Sequence, residues 1–220
     1  MASAQSGRCA IRAMSETSVQ LNQLLVGAGF LALTTEQSEK LDAYLHLLLR
    51  WNAKINLTAI RNEDEIFSRH FVESIVCAHY LPAGIQNLLD FGSGAGFPGV
   101  PIAICRPDLA ITLSESQNKK AAFLAEVVRQ LQLKAKVFSG RAEAIEGQFG
   151  CVTLRAVDRM ERAVAAGTAR VAPAGCLAAL TTLREAPTIQ HAAGPAFEWL
   201  QPQTLPGSER RVLLLGSRQA

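Results

Sequence analysis

The stretch Leu88-Leu89-Asp90-Phe91-Gly92-Ser93-Gly94-Ala95-Gly96-Phe97-Pro98-Gly99 constrains this chain more than any other. An apolar run ends in an acid, passes through glycines and leaves into Val100-Pro101-Ile102-Ala103-Ile104, which reads as strand, tight loop, helix. Glycines permit positive φ and let a ligand approach the main chain. The following helix is expected to aim its N–H groups and positive dipole end back at the loop, as a cofactor cradle does. The dinucleotide fingerprint G-x-G-x-x-G needs glycine at 97, where Phe97 stands, and a phosphate-binding P-loop needs a lysine that this loop lacks.

The pattern around this loop predicts the architecture. Before it, Ser18–Ala28, Glu36–Ala53 and a stretch from Asn62 to about Tyr80 carry apolar residues at helical spacing. Thr34 and Thr35 are candidate N-caps for the second helix. Asn62 is the candidate for the third, with Glu63, Asp64 and Glu65 in its first turn. From residue 87 strands and helices alternate: strands at Asn87–Asp90, Ala110–Ser114, Lys136–Ser139, Cys151–Leu154 and Cys176–Thr181, helices at Asn118–Gln130, Met160–Arg170 and Arg184–His191. Phe197–Gln203 and Arg211–Leu215 read as a final strand pair around Leu205-Pro206-Gly207. Repeated βα units predict an α/β fold with a mostly parallel sheet, an antiparallel C-terminal edge and an N-terminal helical cap. The expected division is an extension over 1–17, a cap over 18–82 and one compact α/β unit over 83–220.

Composition narrows the class. With 49% hydrophobic and 19% charged residues the chain is globular. No apolar run reaches the ~18 residues that span a bilayer. Net charge is +3, and residues 81–220 hold 15 Lys+Arg against 11 Asp+Glu, so a polyanion site would be a local patch. Five cysteines without a C-x-x-C pair predict reduced thiols in a cytoplasmic protein. His46, His79 and His191 show no ligand spacing, so no metal is expected. The first 15 residues lack a signal peptide's apolar core. They read as a frayed extension, with a cleaved targeting segment as the other reading.

Ligands of such sheets bind beyond the carboxyl ends of the strands. Glu115, after the second strand, is placed to accept hydrogen bonds from a ribose diol, or else is a solvated helix-cap carboxylate. After the third strand, Gly140-Arg141-Ala142-Glu143 offers backbone N–H groups to an adenine edge, although Glu143 also suits an ordinary first turn. Arg155, at the end of the fourth, needs an anionic partner if it lies in a cleft; a cofactor carboxylate and an RNA phosphate are the candidates. No Asn/Asp-Pro-Pro-aromatic motif and no Pro-Cys dipeptide occurs. The sequence thus shows neither an amine-positioning motif nor a covalent catalyst, which suits catalysis by positioning with no general base. Lys54, Arg69, His70, Lys119, Lys120, Arg159, Arg210 and Arg211 are the candidates for neutralising phosphates of a polyanion, although a lone His such as His70 is more often a helix-packing residue.

The spacing Asp90-x-Gly92-x-Gly94-x-Gly96 resembles motif I of class I S-adenosylmethionine-dependent methyltransferases, whose sheet is Rossmann-like. A more specific series runs Trp51-Asn52-Ala53-Lys54-Ile55-Asn56-Leu57-Thr58, Arg69-His70-Phe71-Val72-Glu73-Ser74, the glycine loop, Ser114-Glu115-Ser116-Gln117-Asn118-Lys119-Lys120, Arg141-Ala142-Glu143, Leu154-Arg155-Ala156-Val157 and Glu209-Arg210-Arg211. It resembles the bacterial 16S rRNA guanine-N7 methyltransferase family, also called glucose-inhibited division protein B, over roughly residues 35–216. The resemblance implies a cytoplasmic, monomeric enzyme that uses S-adenosylmethionine to methylate one guanine N7 in the decoding-region loop of 16S rRNA in the small ribosomal subunit. It implies that Asp90, Gly92, Ser93, Gly94, Gly96 and Phe97 lie along the cofactor, Glu115 at its ribose, Ala142 and Glu143 at its adenine, and Arg155 at the methyl site. Many members have Lys-Gly after the fifth strand, where this chain has Thr181-Thr182. A small-molecule or protein methyltransferase, and a non-catalytic ribosome-binding module, are the alternatives on the same fold.

Overall fold

A computed structural model describes residues 15–58, 66–157 and 159–219. Eight strands form one sheet in the order β3-β2-β1-β4-β5-β8-β6, with β7 also on β8. The strands are β1 (Asn87–Phe91), β2 (Ala110–Glu115), β3 (Ala135–Ser139), β4 (Phe149–Arg155), β5 (Val171–Thr182), β6 (Phe197–Trp199), β7 (Gln203–Thr204) and β8 (Arg211–Arg218). Pairs among β1 to β5 are parallel, and β8 pairs antiparallel with β5, β6 and β7. The antiparallel edge is as expected, but the single strand expected at Phe197–Gln203 is two short ones. Pro202, with no N–H to give a ladder, stands in the gap.

The sheet is buried on both faces, and side chains alternate strictly between them. Leu88, Leu113, Cys151, Ala178 and Leu213 belong to one core; Leu89, Val152, Leu177, Ala179 and Leu214 belong to the other. Two buried faces explain why these strands read as continuous apolar runs. The first core also takes in α1 (Glu16–Gly27), α2 (Thr35–Ile55), α3 (Glu73–Tyr80), α4 (Gly99–Cys105) and α5 (Asn118–Gln130). The second contains α6 (Met160–Thr168) and α7 (Ala186–Ala193). The N-terminal helices therefore cover one face of the sheet and share its core.

Local signals place the helix starts. Thr34 caps α2 through a reciprocal box: its hydroxyl accepts the Gln37 N–H at 3.2 Å, and the Gln37 side chain accepts the Thr34 N–H at 2.9 Å. Ser15 caps α1, which begins at Glu16, so residues 16–17 are helical where an extension was expected. The proposed Asn62 cap with Glu63, Asp64 and Glu65 lies outside the described residues. The helix expected up to Tyr80 is π-helical over Ile66–Val72 before it becomes α3. The wider π ladder accompanies an outside bond at Arg69, whose carbonyl accepts from the Arg155 guanidinium.

Candidate functional site

An open cleft of about 710 Å3 lies across the carboxyl ends of the strands, at the switch where the chain passes from β1–β2–β3 back to β4. Its walls are Gly92 and Gly94 after β1, Glu115 to Gln117 and Lys120 after β2, Gly140 to Glu143 after β3, and Ala156, Val157, Arg159 and Arg162 after β4. The size falls within the ~300–1,000 Å3 of small-molecule sites.

Gly92 and Gly94 take φ of +74° and +57°. A Cβ at Gly94 would meet only the Gly92 carbonyl, at 3.9 Å, so the loop is bare on this side. Glu115, 6% exposed, holds the loop in register: one carboxylate oxygen accepts the Gly94 N–H at 2.9 Å, the other the Gln117 N–H at 2.7 Å. An ionised carboxylate has about four acceptor positions, so each oxygen keeps one for a ligand hydroxyl.

Asp90, Ser93, Gly96 and Phe97, expected along the cofactor, also make contacts inside the protein. Asp90 is 1% exposed and accepts from the Thr153 hydroxyl at 2.8 Å and the Gly99 N–H at 3.2 Å. The N-terminus of α4, expected to face a ligand, is answered by this carboxylate. Burial, opposed by those hydrogen bonds, pushes the Asp90 carboxyl up to about 6. Ser93 is buried and donates its hydroxyl to the Asp90 carbonyl at 3.1 Å. A Cβ on Gly96, at φ +100°, would stand 2.7 Å from Val100 and 2.8 Å from the Tyr44 hydroxyl. Phe97 packs beneath the helical cap, with its centroid 4.6 Å from His70 and 5.3 Å from both Tyr44 and Phe71.

Tyr44 carries no sequence signature beyond its place on the apolar face of α2, yet it ties the cap to the loop. Its hydroxyl donates to the Ala95 carbonyl at 2.5 Å, and burial holds its ionisation well above the usual range. Tyr44→Phe is expected to cost about 1–3 kcal/mol, since it leaves a buried carbonyl without its donor. Urea unfolding measures this; an unchanged midpoint would show that the bond contributes nothing.

Arg155, expected to need an anionic partner, has one within the protein: Glu73 on α3, at 3.0 Å. Arg211, expected on RNA, forms an ion pair with the same carboxylate. Burial pushes the Glu73 carboxyl up, with Arg155 and Arg211 pulling against it. His70 is drawn into the same cluster: Thr58 Oγ1 lies 3.1 Å from its Nε2, and burial with nearby Arg155, Arg69 and Arg211 lowers it to about 3. A neutral, stacked His70 is a packing residue and presents no charge to phosphate. Arg69 is half-buried beside it. Of the remaining cationic candidates, Lys120 and Arg159 line the cleft, while Lys54, Lys119 and Arg210 are exposed elsewhere. Arg162, Gln117 and Ser116 also line the cleft and were not anticipated; helical period alone does not show which side of a helix start a cleft will take. Among the described residues no group of His, Cys, Asp and Glu could hold a metal, and no helix is long and apolar enough to cross a membrane.

The family model for rRNA small subunit methyltransferase G matches residues 37–210, which include every wall of this cleft. The chain belongs to that family. A ribosomal RNA small subunit methyltransferase G from Streptococcus equi subsp. zooepidemicus is 45% identical over 143 residues, 61% of this chain and 60% of the relative. One from Xanthomonas euvesicatoria pv. vesicatoria is 41% identical over 155 residues, 66% of this chain and 72% of the relative. The match thus spans about 60% of the length of the streptococcal relative. Among solved structures, a SAM dependent methyltransferase from Aquifex aeolicus superposes with a TM-score of 0.56 at 14% identity, covering 70% of this chain and 93% of that one. At that identity the likeness is one of fold. In this chain Glu73, Arg155 and Arg211 form a cap-to-sheet ion cluster.

Proposed function

We propose that this chain transfers a methyl group from S-adenosylmethionine to N7 of one guanine in the decoding-region loop of 16S rRNA, in the cytoplasm. The observation that carries the reading is the cleft at the strand switch, where a bare glycine turn faces a carboxylate with spare acceptor positions, in a chain of this family. The residues fit the cofactor. Positive φ at Gly92 and Gly94 keeps side chains out of the cradle, and Glu115 suits a ribose diol. The short 3-10 turn at Ala142–Ala144 lies on the cleft wall with Ala142 and Glu143, where its backbone would meet an adenine edge.

When bound, S-adenosylmethionine supplies an electrophilic methyl on a sulfonium. The chain's own task is positioning. Glu115 orients the sugar while fixing the Gly94 amide, and the loop backbone keeps close approach open. Guanine N7 has a lone pair that needs no deprotonation, so the reaction asks for alignment rather than a base.

The test compares small-subunit rRNA from cells with and without the protein, using the reduction and aniline chemistry that cleaves at N7-methylguanosine. One protein-dependent cut in the decoding-region loop is expected. The same cells carrying Gly92→Asp are expected to show no cut, with cofactor affinity reduced more than tenfold, or over about 1.4 kcal/mol. No cut with cofactor binding intact would redirect the reading to a small-molecule or protein acceptor. No cut and no binding would leave a ribosome-binding module.

A further inference from the structure

A second groove, of about 430 Å3, continues from the cofactor cleft and shares Arg159 and Arg162 with it as a common wall. Its far side is Arg184, Glu185 and Thr188, from the loop after β5 and the start of α7. We propose that this groove carries the phosphodiester backbone of the single-stranded RNA flanking the target guanine, with Arg184 as its outer phosphate contact. The inference rests on the RNA methyltransferase reading above and adds where the strand lies.

The groove's charge favours a polyanion. Arg159, Arg162 and Arg184 are all exposed, and among the described residues none of the three has an ion-pair partner within 4.0 Å. Two carboxylates, Glu161 and Glu185, share the groove with the three arginines, which leaves the arginines in excess by one; Glu185 accepts the Thr181 hydroxyl at 2.8 Å and the Thr182 hydroxyl at 3.0 Å. The threonine pair after β5 thus turns the neighbouring acid onto the strand end, while Arg184 remains exposed beside it. Both α6 and α7 start at this groove, with Glu161 in the first turn of α6 and Glu185 at the N-cap of α7.

Geometry selects a nucleic-acid strand over a small anion. A base reaching the cleft must be splayed out of its stack, and its sugar-phosphate neighbours must leave along an open surface. The groove is open, runs on from the cleft, and carries cations from two different loops, after β4 and after β5. Arginine forks suit successive phosphates in such a track.

The experiment uses the full chain with 16S rRNA as probe, comparing wild type, Arg184→Ala and Arg184→Lys. Arg184 is exposed and outside the cofactor cleft, so folding and cofactor binding provide internal controls. Arg184→Ala is expected to raise KM for RNA about fivefold at ~0.15 M salt with kcat retained, and to lower the slope of log affinity against log salt by about 0.7. Arg184→Lys is expected to restore most of both. An unchanged KM and salt slope in Arg184→Ala, beside an active wild type, would overturn the groove assignment alone. So would a fall in kcat with KM and slope unchanged, or a loss seen only on assembled subunits, which would give the groove to a ribosomal protein. A wild type that binds cofactor but transfers no methyl to the RNA would instead overturn the functional reading beneath it.

Discussion

Replacing Glu73 with alanine is expected to lower the unfolding free energy by about 3–5 kcal/mol, the cost of breaking a buried ion pair from one side. Glu73 is 2% exposed at its side chain and faces Arg155, itself 12% exposed, and the partly exposed Arg211. Removing the carboxylate leaves Arg155 buried with like charges nearby and no counterion. The desolvation of its guanidinium is then uncompensated, since its remaining contacts are the Arg69 carbonyl and the Ser74 hydroxyl. The paired substitution Glu73→Met with Arg155→Met should recover most of the loss, because an apolar pair of similar volume removes both desolvation costs together. Arg211 would remain and can extend towards water. Urea unfolding of the single and double variants checks this. A single-variant loss below about 1 kcal/mol would show that the cluster is hydrated in solution.

Asp90 is expected to make the chain less stable as pH rises from about 4 to about 6. Its carboxyl is pushed from an ordinary 3.8 up to about 6 by burial. Within that window the folded state retains a proton that the unfolded chain has released. Stability therefore falls with increasing pH, fully favoured below the lower value and lost above the upper. The shift corresponds to a change on the order of 3 kcal/mol. Asp90→Asn should flatten this part of the profile: an asparagine oxygen can accept the Gly99 N–H, and its amide can donate to the Thr153 hydroxyl oxygen. Unfolding free energies of wild type and Asp90→Asn at several pH values test the difference directly. Parallel curves would mean that Asp90 is ionised throughout the window.

Much of the fold is legible in the order of the residues. Strand and helix periodicity places all five parallel strands, and the expected Asn118–Gln130 helix is α5 to the residue. These signals are local: a turn needs glycine where φ is positive, and a strand buried on both faces needs apolar residues in sequence. The turn at Gly92–Gly94 and the acid at Glu115 also announce a cleft at the strand ends, because topology alone carries those loops to one edge of the sheet.

The direction in which each side chain of that loop faces is not legible there. Asp90 and Phe97 sit in the same motif as Gly92 and Gly94, and they contact Thr153 and the cap aromatics. Nor does the chain order reveal that Glu73 answers Arg155 from 82 positions away, or that Thr181 and Thr182 occupy Glu185 and leave Arg184 exposed. Backbone periodicity and turn chemistry act between near neighbours, so the sequence by itself determines the elements and their order. Charge pairing and the facing of a loop depend on which distant surfaces pack together and exclude water. Only the tertiary structure decides them.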